Sequence, residues 1–190
     1  MTNSTVNEIR DFVPGIWEID SASSEVSFDL HLQTVRRAHG RMNRVKGTIV
    51  TDRDYGRSSV VAMIDAASIT TGGVTSDTHV RSKRFLDVEN FPEITFESSD
   101  LVLEGAHCYV RGDLTIRGTT RNVMLDVDRA AFAPELEGGT RACFSATTHV
   151  SRNGFGVRPS GLLGLMDNAL VLGDRVNITL KIEAVLSSGK

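Results

Sequence analysis

Cysteine is scarce in this chain of 190 residues, and so are most patterns that announce catalytic or metal chemistry. Cys108 and Cys143 are too few and too widely spaced for a zinc site, and in a reducing compartment they are expected as buried thiols rather than a disulfide. The histidines, His31, His39, His79, His107 and His149, stand singly with no H-E-x-x-H spacing. With no phosphate-cradling loop and no dinucleotide fingerprint either, neither a metal nor a cofactor is expected. Positive charge is not in surplus: a formal net charge of -3 leaves nothing to neutralise phosphates, which excludes nucleic acid as a partner. Long apolar runs are missing too. The first stretch, "MTNSTVNEIRDFVPG", holds Glu8, Arg10 and Asp11 and lacks the apolar core of a signal peptide, and no later segment approaches a membrane span. A cytoplasmic protein without stable membrane insertion is expected.

What is present is period two. In "EVSFDLHL", Val26, Phe28, Leu30 and Leu32 alternate with Ser27, Asp29 and His31, which places the apolar set on one face of a strand. The same rhythm runs through "CYVRGDLTIR" and "RVNITLKIEAVL", and in "NVMLDVD", "ACFSATTHV" and "EITFES". "RVKGTIV", "SSVVAMID" and "GIWEID" complete eight or nine strands. The connections "TDRDYGRS", "IRGTTRN" and "PELEGGTR" are short and rich in turn formers, as hairpins require. Two places break the rhythm. Residues 74 to 91 offer Asp77 as a cap and room for about three helical turns, and "GFGVRPSGLLGLMDN" is rich in glycine. So many one-faced strands need either a second packed sheet or closure into a barrel, and an eight-stranded barrel is just wide enough for one small ligand.

Three ordered blocks, "SDTHVRSKRFLDVENFPEITFES", "VRGDLTIRGTTRNVMLDV" and "VSRNGFGV", bracketed by "WEIDSASSEVSF" and "VNITLKIEA", resemble the YceI-like family of polyisoprenoid-binding proteins. The resemblance implies a mainly β fold: an eight-stranded antiparallel lipocalin-like β-barrel with one short α-helix between strands, dimeric, around an apolar tunnel. It places the domain at 15–186, after an extension at 1–14 and before a tail at 187–190. Three departures stand out. Leu32 stands where relatives often carry histidine, Gly154 where an acidic residue is common, and "RPSGLLGLMDN" holds extra glycine and leucine; "GLLGLMDNALVL" suits a flexible rim over the opening.

Candidate ligand-binding residues follow from the strand faces and the resemblance together. Phe28, Phe85, Phe91, Phe96, Phe144 and Phe155 are the aromatic candidates for the interior, joined by Leu30, Leu114 and Ile116. Packed core and tunnel wall both want apolar side chains, so a binding role for these rests on the resemblance. Arg152, before Gly154 and Gly156, is the leading polar candidate, with His79 and Arg81 beside it. Arg81, Lys83 and Arg84, with Arg36 and Arg37, suit an anionic head group such as a diphosphate, or else a solvated helix face. Asp77, His79 and Ser82 contain the letters of a triad, yet on a helix residues two apart project about 200° from each other, so no catalytic residue is assigned. The first expectation is a carrier for an elongated apolar small molecule, isoprenoid or fatty-acyl in type, acting as a homodimer. A barrel cyclase or isomerase working by orientation, and a filled barrel acting through its surface, remain as alternatives.

Overall fold

The structure is a computed structural model that describes residues 12–32, 37–104, 107–134, 139–158 and 172–187. Its strands are β1 (Gly15–Ile19), β2 (Glu25–Leu32), β3 (Arg37–Met42), β4 (Val45–Thr51), β5 (Ser59–Asp65), β6 (Glu93–Glu104), β7 (His107–Ile116), β8 (Thr119–Pro134), β9 (Thr140–Ser151) and β10 (Leu172–Leu186). All named pairings are antiparallel. The order runs β1-β4-β5-β6-β7-β8-β9-β10, and β10 returns to β1, closing the ring.

Eight staves make this barrel because the first two are each broken in half. β1 and β2 lie end to end along β10, Trp17 facing Leu186 and Val26 facing Leu180, while β4 and β3 lie beside them in turn. The break at 20–24 is an aspartate-centred turn: the Asp20 carboxylate accepts from Ala22 N–H and Ser23 Oγ, both at 3.0 Å. Ser24 fills the lost ladder position, its Oγ accepting from Glu183 N–H at 3.0 Å. β3 alternates Ala38, Gly40 and Met42 inward with His39 and Arg41 outward, but Gly40 leaves its inner face with little apolar weight. A Cβ there would lie 2.5 Å from Cζ of Phe28, whose ring occupies the space a side chain would need.

Two apolar clusters divide the interior. One gathers around Met42, Ile69, Ile94, Leu114, Val150 and Phe155, and Val80, Leu86 and Val88 pack onto it from the excursion between β5 and β6. The other centres on Trp17, which is fully buried, with Ile49, Phe132, Ala142 and Ala184. The Trp17 indole N–H donates to Thr51 Oγ1 at 2.8 Å, and that hydroxyl donates to the Val13 carbonyl at 2.8 Å, so the polar end of the ring is satisfied inside the wall. Phe12 packs edge-on against Tyr55 and Phe132, so the barrel's packing reaches back before Gly15.

The excursion contains helix α1 (Val74–Arg81), which is eight residues long, about two turns rather than three. Asp77 is not its cap: Gly73 holds that position, and Asp77 sits one turn in. Its carboxylate reaches back to accept from the backbone N–H and hydroxyl of Thr71, bonds that hold it below the usual carboxylate range. Ser82 donates its hydroxyl to the His79 carbonyl, and the His79 ring lies on Phe85 with centroids 4.7 Å apart.

Candidate functional site

Between the two clusters the barrel is hollow. The cavity holds about 1120 Å³, above the ~300–1,000 Å³ usual for ligand pockets, and its walls are the inward faces of the strands. Val60, Ala62, Val110, Leu125, Ala146 and Leu180 give the middle of the wall its apolar character. At the α1 end the wall is buried under the Met42 and Phe155 cluster. At the opposite end, where β6 meets β7 and β4 meets β5, wall residues reach solvent: Tyr55 is 37% and Leu103 47% exposed, and His107 and Asp128 are exposed too. That end is the mouth.

Two β-bulges shape the mouth. In β6 the register shifts between Ser98 and Asp100, so the inward set changes from Ile94, Phe96 and Ser98 to Leu101 and Leu103. Ser98 Oγ accepts from Val60 N–H at 2.7 Å, replacing part of the ladder there. In β8 the register shifts between Val127 and Arg129, and the inward set passes from Leu125 and Val127 to Ala130 and Phe132. The extra residue is Asp128, which the bulge brings into the wall. Gly112, opposite Ser98, makes room for the Phe96 ring: a Cβ on Gly112 would come within 2.5 Å of it.

Charge is almost absent from this surface. Among the described wall residues Asp128 is the one aspartate or glutamate, and there is no lysine or arginine. Cys108 faces the hollow as a free thiol, and burial, with the charge of Asp126 behind it, pushes its pKa up. Cys143 is free as well but exposed, contrary to the expectation that both thiols are buried.

Of the residues expected from sequence, Phe96, Leu114, Ile116 and Phe144 line this cavity. Phe155, 2% exposed, belongs to the cluster that closes the α1 end, and Phe28 packs against it. Phe85 is buried against His79, and Phe91 lies by the β7–β8 turn, 2.7 Å from where a Gly118 Cβ would stand. Leu30 is half-buried and is not among the wall residues. The three polar candidates sit at the closed end, away from the wall. Arg152 donates to the Gly173 and Val157 carbonyls at 2.9 and 3.0 Å, and Arg81 donates to the Ile69 carbonyl. His79 faces an outer depression beside Val74 and Lys83. Arg36, the side chain of Arg37 and the glycine- and leucine-rich rim at 161–171 lie outside the described residues.

Sequence reasoning missed the mouth residues Tyr55, Leu103, His107 and Asp128, and it missed Arg117. Arg117 takes a left-handed backbone (φ 50°) in the β7–β8 turn, and its guanidinium donates to the Gly156 carbonyl at 2.6 Å and the Lys83 carbonyl at 3.0 Å. It thus ties together the two segments that close the barrel.

A closed antiparallel barrel around an apolar hollow puts this protein among the lipocalin-like barrels. Residues 17–184 match the YceI-like domain, and the chain belongs to that family. It is 28% identical to a UPF0312 protein of Vibrio cholerae over 151 residues, 78% of this chain and 80% of the relative. A UPF0312 protein of Yersinia pestis is 31% identical over 120 residues, 63% of this chain and 62% of its own length. Among solved structures, BcnA of Burkholderia cenocepacia superposes with a TM-score of 0.73 at 25% identity, covering 87% of this chain and 98% of its own. A polyisoprenoid-binding domain from Saccharophagus degradans gives 0.67 at 16% identity, covering 90% and 98%, a likeness of fold.

Proposed function

We propose that the protein is a carrier that takes one elongated apolar small molecule, isoprenoid or fatty-acyl in type, into the barrel. The observation that carries this reading is the cavity of about 1120 Å³ with its aliphatic and aromatic wall. Each buried methylene contributes roughly 0.8 kcal/mol, so a long chain binds tightly with few polar contacts. The description of the Saccharophagus degradans domain supports an isoprenoid-type chain. The proposal extends to a cytoplasmic homodimer, which cell fractionation and sedimentation of the purified protein test.

Native mass spectrometry of freshly purified protein, followed by solvent extraction, is the direct experiment. A long-chain species leaving with the protein is the expected result. Ala146 stands mid-wall between Val127 and Leu180, so Ala146→Phe fills the hollow from inside. Its circular dichroism is expected to match the parent while the co-purifying species falls at least tenfold, an order-of-magnitude loss consistent with displacing two or more buried methylenes. Undiminished loading of Ala146→Phe would count against the cavity as the binding place.

A further inference from the structure

We infer that the cavity discriminates by head group, holding long chains that end in an uncharged or cationic group at the mouth and disfavouring those that end in a carboxylate or diphosphate. This rests on the carrier reading and goes further, because it assigns the guest's direction and the charge of its polar end.

Direction comes from the two ends. The α1 end is sealed by the Phe155 cluster, and the arginines there bond to backbone carbonyls: Arg81 to Ile69, Arg117 to Gly156 and Lys83, Arg121 to Gly154, Arg152 to Gly173 and Val157. A guest's apolar tail suits that end, and its head is left at the mouth. Charge comes from the wall. Asp128, placed inward by the β8 bulge, is the one carboxylate among the described wall residues, with no lysine or arginine to balance it there. The loop above, between β4 and β5, adds no net charge: Asp52 and Asp54 offset Arg53 and Arg57, and Arg57 pairs with Asp54 at 3.7 Å. Glu104 ends β6 here, and on β8 Asp128 stands between Asp126 and Arg129 in sequence. Hydrogen-bonding side chains are in place, since Tyr55, Ser59 and His107 all lie on the wall near the rim. A hydroxyl, a carbonyl or an ammonium finds partners here. An anion loses its hydration and meets a like charge, a penalty of about tenfold or more in affinity.

The test uses the full chain and a matched set of probes: hexadecanol, hexadecylamine, palmitate, geranylgeraniol and geranylgeranyl diphosphate, each competing against one fluorescent long-chain reporter at low salt. The alcohols and the amine are expected to displace the reporter at concentrations at least tenfold below those of palmitate and the diphosphate. Asp128→Asn is expected to shrink the amine-to-palmitate ratio, and Asp128→Lys to invert it. If palmitate or the diphosphate binds as well as its alcohol, head selection is overturned while the carrier reading stands. Failure of all five probes overturns the carrier reading itself. Equal ratios in the parent and both Asp128 variants would remove Asp128 from the account.

Discussion

Asp20 shows how much of the barrel's first stave depends on a single side chain. It turns the chain between β1 and β2, and it also receives Arg141 Nη1 at 2.9 Å, while the same guanidinium nitrogen reaches Glu183 at 3.1 Å. The Arg141 hydrogen bond first, and the Ser23 hydroxyl second, hold the Asp20 carboxyl below the usual carboxylate range. A carboxylate whose folded pKa is depressed stabilises the fold fully above its unfolded value near 4, and that contribution is lost as the pH falls through the lower folded value. Asp20→Asn is therefore expected to lower the melting temperature at neutral pH and to flatten its decline between about pH 5 and pH 2. Thermal melts across that range, parent against variant, read both effects. Parallel acid limbs would mean that Asp20 is not a linked group.

At the scale of elements, the bulges decide what the sequence discloses and what it hides. The alternation in "EITFES" stops at Ser98 and that in "NVMLDVD" stops at Asp128, which are the places where the register slips. Beyond them β6 continues to Glu104 and β8 to Pro134, with the inward residues on the other parity. A period-two reading loses the strand at that step, because one extra residue inverts the phase of everything after it. Leu103 lies on the β6 continuation and Asp128 at the β8 bulge itself, which is why neither was legible while Phe96, ahead of the β6 bulge, was; Tyr55 in the β4–β5 connection and His107 at the start of β7 stand outside any alternating run of the core. β3 was hidden for a different reason: the Phe28 ring fills the space over Gly40, so the inward set Ala38, Gly40 and Met42 is too small to read as an apolar face. The basic residues drew attention to the closed end because linear sequence gives their clustering and not their partners, which for Arg81 and Arg152 include backbone carbonyls. Arg117 belongs with them. Arg117→Asn keeps a residue that tolerates the left-handed backbone and removes both long-range bonds. It is expected to cost about 1–2 kcal/mol in urea denaturation and to speed hydrogen exchange at 82–92 and 153–157 together. Faster exchange in one segment alone would show that the strap does not couple them.

For the whole molecule, the two cysteines make an internal gauge of occupancy. Cys143 is exposed on β9, whereas Cys108 faces the hollow with its thiol kept protonated by burial and by Asp126. N-ethylmaleimide at neutral pH is expected to modify Cys143 first. Loading with hexadecanol should slow modification of Cys108 at least several-fold and leave the Cys143 rate alone, as peptide mass spectrometry would measure. Equal rates at Cys108 with and without the alcohol would place the guest elsewhere. The same hollow depends on β10, which pairs with β9, β2 and β1 and so joins both sides of the sheet. A ribosome makes that strand after all the others, and its partner Trp17 lies far upstream, facing Leu186. Until residues 172–186 emerge, the nascent chain is an open apolar trough with three unpaired edges, the kind of species that aggregates or engages chaperones. The barrel thus has an order of birth: closure comes last, with the one strand that pairs with β9, β2 and β1.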